Sequence, residues 1–209
     1  QWQAAYDELA KYVWASEPTT ETYYFGIPMD YAHDFSATTS MLAFEVYGSR
    51  DDLYKTHLNS PSMGAFLKKI PAASATGLDL NHYSLVAGYL DKPGDKTECG
   101  IMLDVKLTAG SAAARKSLNP KLKKLASDVD KADPDGGVYT FMTFESIDND
   151  VDGRIYARFR DRDAMEKFLR RKEWTDFWMS TKDEVAKMES RAYLHNGKGW
   201  LYRNKAARL

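Results

Sequence analysis

The chain is short of cysteine, of net charge and of long apolar runs, and each shortage excludes a class of protein. A single cysteine, Cys99, among 209 residues cannot close an internal disulfide or build a cysteine-rich zinc site. It fits a reducing compartment, so a cytoplasmic location is expected. Lysine and arginine number 29 against 30 aspartate and glutamate, a formal net charge of −1. No excess of one sign marks a nucleic-acid-binding or membrane-surface body. No apolar stretch approaches the roughly 20 residues that span a bilayer. Aromatic residues, in contrast, are plentiful: 5 Trp, 13 Tyr and 9 Phe, generous for a core and in keeping with a lined pocket.

The chain contains itself twice. Trp2, Tyr6, Leu9 and Val13, followed by Pro18, recur at the same spacing as Leu118, Leu122, Leu125 and Val129, followed by Pro134. Both are the apolar stripe of an amphipathic helix that stops before a proline. Pro120 lies inside the second stripe, so that helix is expected to start there, capped by Asn119, or to kink. Downstream, Tyr23-Tyr24-Phe25 matches Tyr139-Thr140-Phe141, and Phe44-Glu45-Val46-Tyr47 matches Ile155-Tyr156-Ala157-Arg158. The pattern Leu53-x3-His57-Leu58 matches Ala164-x3-Phe168-Leu169, and Phe66 matches Phe177. Each half reads helix, strand, strand, helix, strand.

The second copy is preceded by Ile101-Met102-Leu103-Asp104-Val105-Lys106-Leu107, a strand of period 2. That completes βαββαβ, a ferredoxin-like arrangement, over residues 99–203. The first copy, residues 1–92, opens directly in its helix, and an upstream strand is expected to belong to it.

The segment Leu53-Tyr54-Lys55-Thr56-His57-Leu58-Asn59-Ser60-Pro61 with Phe66, the Phe44-Glu45-Val46-Tyr47 strand and Glu17-Pro18 resemble the antibiotic biosynthesis monooxygenase family. The likeness covers essentially the whole chain as two tandem domains, and weakens in the second copy, where Phe168 replaces His57 and Lys172 replaces Pro61. It implies an α+β class: two ferredoxin-like domains with antiparallel sheets forming, within one chain, the barrel that such proteins make as dimers. Further homodimerisation is compatible with it. It also implies chemistry on a small aromatic or polyketide-like substrate in secondary metabolism, with O2 and without metal or organic cofactor. The cofactor-free oxygenases of this kind carry an Asn and a Trp four apart on the third strand and a Tyr on the next helix. Here Ala43 and Tyr47, or Arg154 and Arg158, hold the strand positions, and Tyr54 is one residue out of register. The haem-ligand position of the haem-degrading branch is occupied by Leu67 and Trp178, neither of which ligates iron.

Alternation assigns strand faces independently of any family. Leu42, Phe44 and Val46, and Ile155, Ala157 and Phe159, form rows expected to pack on helices. Ala43, Glu45 and Tyr47, and Arg154, Tyr156 and Arg158, form the opposite rows, which a closed barrel would turn inward. His82 shares a face with Ser84, Tyr193 with Arg191 and His195, and Asp104 with Met102 and Lys106. His82, His195 and Tyr156 are thus candidate proton handlers, and Arg158 the residue that orients an anionic oxygen. Glu45, Tyr47, Arg154, Tyr193 and Trp178 are candidate substrate contacts. The same groups would serve a cyclase or dehydratase that consumes no O2. The non-catalytic alternative, a ligand-binding or stress-response barrel, pairs Glu45 and Asp104 with arginines for reasons of desolvation alone. His57 reads as a packing and capping residue, and His33 as solvated.

Two short motifs carry little. Asp148-x-Asp150-x-Asp152-Gly153 opens like a calcium loop, but Phe159 stands where the bidentate Glu is needed, so a hairpin turn is expected. The terminal Ala207-Arg208-Leu209 resembles the small-basic-Leu peroxisomal address.

Overall fold

The apolar periodicities become elements much where the sequence places them. The computed structural model describes residues 2–74, 76–91, 100–133 and 136–203; Cys99, Pro134 and the Ala207-Arg208-Leu209 address lie outside them. The first half contains α1 (Trp2–Ser16), β1 (Thr20–Pro28), β2 (Leu42–Tyr47), α2 (Pro61–Ala73) and β3 (Tyr83–Tyr89). The second contains β4 (Ile101–Ala109), α3 (Ala112–Lys131), β5 (Val138–Ser146), β6 (Asp152–Phe159), α4 (Arg162–Leu169), α5 (Lys172–Thr181) and β7 (Val185–Trp200). The class is α+β with antiparallel strand pairing. The α3 helix continues through Pro120 from a Ser111 cap, so of the two expectations the start at Asn119–Pro120 is corrected. Ser111 accepts the Ala114 N–H, a stronger start signal than a proline in mid-helix.

The chain forms two compact units, and their limits differ from the division into halves at residues 92–99. The smaller unit takes the described parts of residues 1–26, 41–80 and 196–207, and the larger those of 27–40 and 81–195. The last strand of the first half, β3, is therefore given to the larger unit, and the end of β7, from Asn196, to the smaller. In the larger unit the strand order is β7-β4-β6-β5-β3, so β3 of the first half pairs with β5 of the second. In the smaller unit β1 lies between β2 and the end of β7. There Thr22 donates to the Leu201 carbonyl at 2.5 Å, and the Trp200 indole N–H to that of Glu21 at 3.1 Å.

Helices cover one sheet face in each unit. In the larger, Leu118, Leu122, Leu125 and Val129 of α3 and Phe168, Trp174 and Phe177 of α4 and α5 pack on Leu103, Val105, Ile155, Ala157 and Phe159. The β6 rows therefore face as alternation predicts. In the smaller, Tyr6, Leu9 and Val13 of α1 and Met63, Phe66 and Ile70 of α2 pack on Tyr23 and Phe25. Tyr23 is in register with Glu45 and Phe25 with Ala43, so it is the Ala43-Glu45-Tyr47 row that faces these helices. The expectation for β2 is thereby inverted. Alternation separates two rows without saying which is covered, and the polar row is accommodated because polar groups meet it from the helical side.

Candidate functional site

The sheet face of the larger unit that helices leave uncovered gathers most of the polar residues singled out in the sequence. Asp104 on β4 sits in register with Tyr156 on β6 and Arg191 on β7, and Met102 with Arg158 and Tyr193. Arg154 donates to both oxygens of Asp104, from Nε at 2.5 Å and from Nη2 at 2.7 Å, a two-point pairing that fixes the plane of both groups. The guanidinium lies 5.4 Å from the ring centroid of Tyr83. Burial pushes the Tyr83 phenol up, with nearby Arg154 working in the opposite sense. Tyr193 is likewise raised by burial and by the Asp104 charge, against the pull of Arg191 and Arg154. Arg191 in turn donates to Asp30 at 2.8 Å. Tyr83, Arg154, Arg191 and Tyr193 are part-exposed, around a buried Asp104.

Arg158 is different. It is fully buried, with Tyr139 5.0 Å from its guanidinium and with Thr140 and Asp91 each at 3.4 Å. Tyr156 is also fully buried, beside Asp104. His195 lies two residues beyond Tyr193 on β7, on the same row and part-buried. His82 immediately precedes Tyr83 and β3, and is tied to Asp148 at the β5–β6 hairpin, by its backbone N–H at 2.6 Å and its Nδ1 at 3.0 Å. The Asp148–Asp152 segment is that hairpin turn. Trp178, expected to contact substrate, packs partly buried against the helical core with Trp174 and Phe177, on the other face of the sheet from Arg154. Tyr83 was missed because the His82-Ser84 row was preferred. Its Cα partner is Ser146, and it contacts Phe144, the register partner of Arg154. The signal available was only that Tyr83 is the aromatic member of the alternate row.

Glu45 and Tyr47 belong to a second polar cluster, in the smaller unit, which sequence reasoning missed as a cluster. Tyr47 donates to Glu45 at 2.7 Å. His57, read as a packing residue, places Nδ1 2.8 Å from Glu17, and both side chains are sealed from solvent at 0% and 1% exposure. The rings of Tyr47 and Tyr23 lie 5.3 and 5.8 Å from the imidazole. Burial, with Glu45 next in effect, pushes both phenols well up. No group of three or more His, Cys, Asp or Glu side chains among the described residues is arranged to hold a metal ion. No helix among them is long and apolar enough to cross a membrane.

No protein-family model and no curated protein sequence matches the chain. Solved structures do. A "putative monooxygenase" from Fusobacterium nucleatum superposes over 97% of this chain and 89% of its own, at 14% identity and a TM-score of 0.73. One from Lactobacillus acidophilus covers 93% of this chain and 85% of its own, again at 14% identity, with a TM-score of 0.68. The chain has the fold of these monooxygenase-named proteins. An anthrone oxidase-like protein matches 99% of this chain and 90% of its own at 14% identity, with a TM-score of 0.56. At such identities the monooxygenase-like fold is what is shared, and chemistry has to be argued from the residues.

Proposed function

We propose that the protein is a monooxygenase-like enzyme that oxidises a small phenolic or enolic aromatic molecule with O2, without metal or organic cofactor. The observation that supports this best is the clustering of Tyr83 and Tyr193 about the Arg154–Asp104 pair, on the sheet face of the larger unit opposite its helices. A guanidinium held in one orientation stabilises an oxyanion without reorganising, and flanking tyrosines supply rings and hydroxyl donors. His195, on the same row, is the proton acceptor of the proposal, and Tyr156 and Arg158 support the patch from within. Deprotonation gives an electron-rich anion that passes an electron to O2. Recombination forms a peroxide, and loss of water converts the substrate CH2 to a carbonyl. One oxygen atom enters the substrate, the other leaves as water, and the substrate supplies the electrons. The fold shared with an anthrone oxidase-like protein is in keeping with that substrate class.

The test is oxygen uptake with a hydroxyanthrone after exhaustive dialysis against chelator. Uptake persists, and His195→Gln lowers kcat on the order of 100-fold or more. Substrate conversion without O2 would instead indicate a cyclase or dehydratase. A second reading has its own support. Arg154, Arg158 and Arg191 each have a carboxylate partner, as a ligand-binding barrel without turnover would also require. Saturable binding with no product would establish it.

A further inference from the structure

The Glu17–His57 pair is not used by the proposed chemistry of the larger unit, and the fold does not require it. The internal repeat provides the comparison. Phe168 stands at the position of His57 in the second half, fully buried in an apolar core. Asp133 stands at the position of Glu17 and pairs instead with Arg171 at 2.8 Å and with the Val138 N–H at 3.1 Å. The same architecture therefore closes with a phenylalanine where the first half buries an imidazole. A buried polar group that an apolar one can replace costs stability unless something else holds it in place.

Three observations say what holds it. First, the carboxylate of Glu17 only accepts, so the Nδ1 of His57, 2.8 Å away, carries the proton, and in the neutral ring Nε2 presents a lone pair. Second, that Nε2, the Oε1 of Glu17 and the hydroxyl of Tyr23 are all buried without a hydrogen-bond partner among the described residues. Three such atoms gathered around one buried imidazole call for a partner that the protein does not supply there. Third, His57 ends a π-helical turn, Asp52–His57, in which the Leu58 N–H reaches the Leu53 carbonyl at 2.9 Å. Such turns cost more than α-helix and recur where a side chain has to be aimed. Tyr23 and Tyr47 flank the ring, and Glu45 and Tyr47 at its edge on β2 are part-exposed.

We infer that the smaller unit carries a second acid–base site, in which His57, oriented by Glu17, accepts a proton from the hydroxyl of a hydroxyaromatic ligand lodged against Tyr23 and Tyr47. The O–H bond of the ligand breaks, its electron pair stays on oxygen, and the proton moves to Nε2. The imidazolium so formed faces the Glu17 carboxylate, which stabilises it. This inference is independent of the reading for the larger unit.

The full chain labelled with 15N-histidine and titrated with phenol tests it. The His57 Nε2 resonance shifts saturably. Glu17→Gln weakens that response on the order of tenfold, and Tyr23→Phe weakens it less. His57→Phe, which copies the second half, melts within a few degrees of the parent and no longer binds phenol at this cluster, read from the Tyr47 ring resonances. A silent His57 resonance in the parent overturns the inference. So does unfolding of both His57→Phe and His57→Gln, because the pair is then architectural.

Discussion

At the scale of single residues, the uncovered face of the larger unit is an exercise in pairing. Arg154 and Asp104 are mostly buried, 22% and 11% exposed, and satisfy each other at two points. Asp104→Asn strands the guanidinium and is expected to cost about 2–3 kcal/mol in urea unfolding. Replacing both partners, Arg154→Met with Asp104→Leu, recovers most of that loss, because an apolar pair needs no compensation. His82 gives the contrary case. Its bond to Asp148 is part-exposed, so His82→Gln is expected to shift stability by less than about 1 kcal/mol and, if the bond only ties the hairpin, to leave oxygen uptake unchanged. Measuring His82→Gln beside His195→Gln separates a histidine that ties a loop from one on the proposed reacting row.

At the scale of elements, legibility in the sequence follows physical periodicity closely. The helix stripe Leu118-Leu122-Leu125-Val129 and the alternating run Ile101 to Leu107 become α3 and β4, because burial of one face is what those periods encode. The covered face of β6 was legible for the same reason. The covered face of β2 was not: Leu42, Phe44 and Val46 look like a core row, but Tyr23 and Phe25 on β1 commit the opposite row to the helices through their register. Strand partners were illegible as well. Nothing local in Tyr83–Tyr89 says that it pairs with β5 of the other half. His57 lay in plain view within its motif, but its partner Glu17 is forty residues away in sequence, so only the fold shows the pair. Two element-level variants probe these readings. Pro120 is exposed inside α3, where it removes a helical hydrogen bond, so Pro120→Ala is expected to stabilise by about 1–3 kcal/mol in chemical denaturation. Gly199 near the end of β7 has φ +75, and a Cβ there would meet the Tyr23 carbonyl oxygen at 1.7 Å. Gly199→Ala is therefore expected to cost about 3 kcal/mol or more, with near-ultraviolet circular dichroism of the Trp200–Tyr23 stack reporting the change.

At the scale of the whole molecule, the aromatic abundance acquires a consequence for pH. The phenols of Tyr6, Tyr23 and Tyr47 in the smaller unit, and of Tyr89 in the larger, are raised, by burial above all and then by neighbouring carboxylates. An unfolded chain releases these protons near pH 10, whereas the folded chain holds them to higher pH. Above that pH the unfolded state binds fewer protons than the native one, so stability falls as pH rises. The contribution is complete below about pH 10 and is lost progressively above it. Spectrophotometric titration is expected to show the exposed tyrosines ionising near their ordinary value, followed by a cooperative step in which the buried ones ionise together as structure is lost. Because Tyr6, Tyr23 and Tyr47 cluster with Glu17 and Glu45, amide signals of the smaller unit should disappear at lower pH than those of β4 and β6. Tyr47→Phe keeps the ring and removes a raised phenol, and so moves the alkaline transition upward. A transition unmoved by Tyr47→Phe would mean that the phenol is already ionisable in the native chain, contrary to its burial between Glu45 and His57.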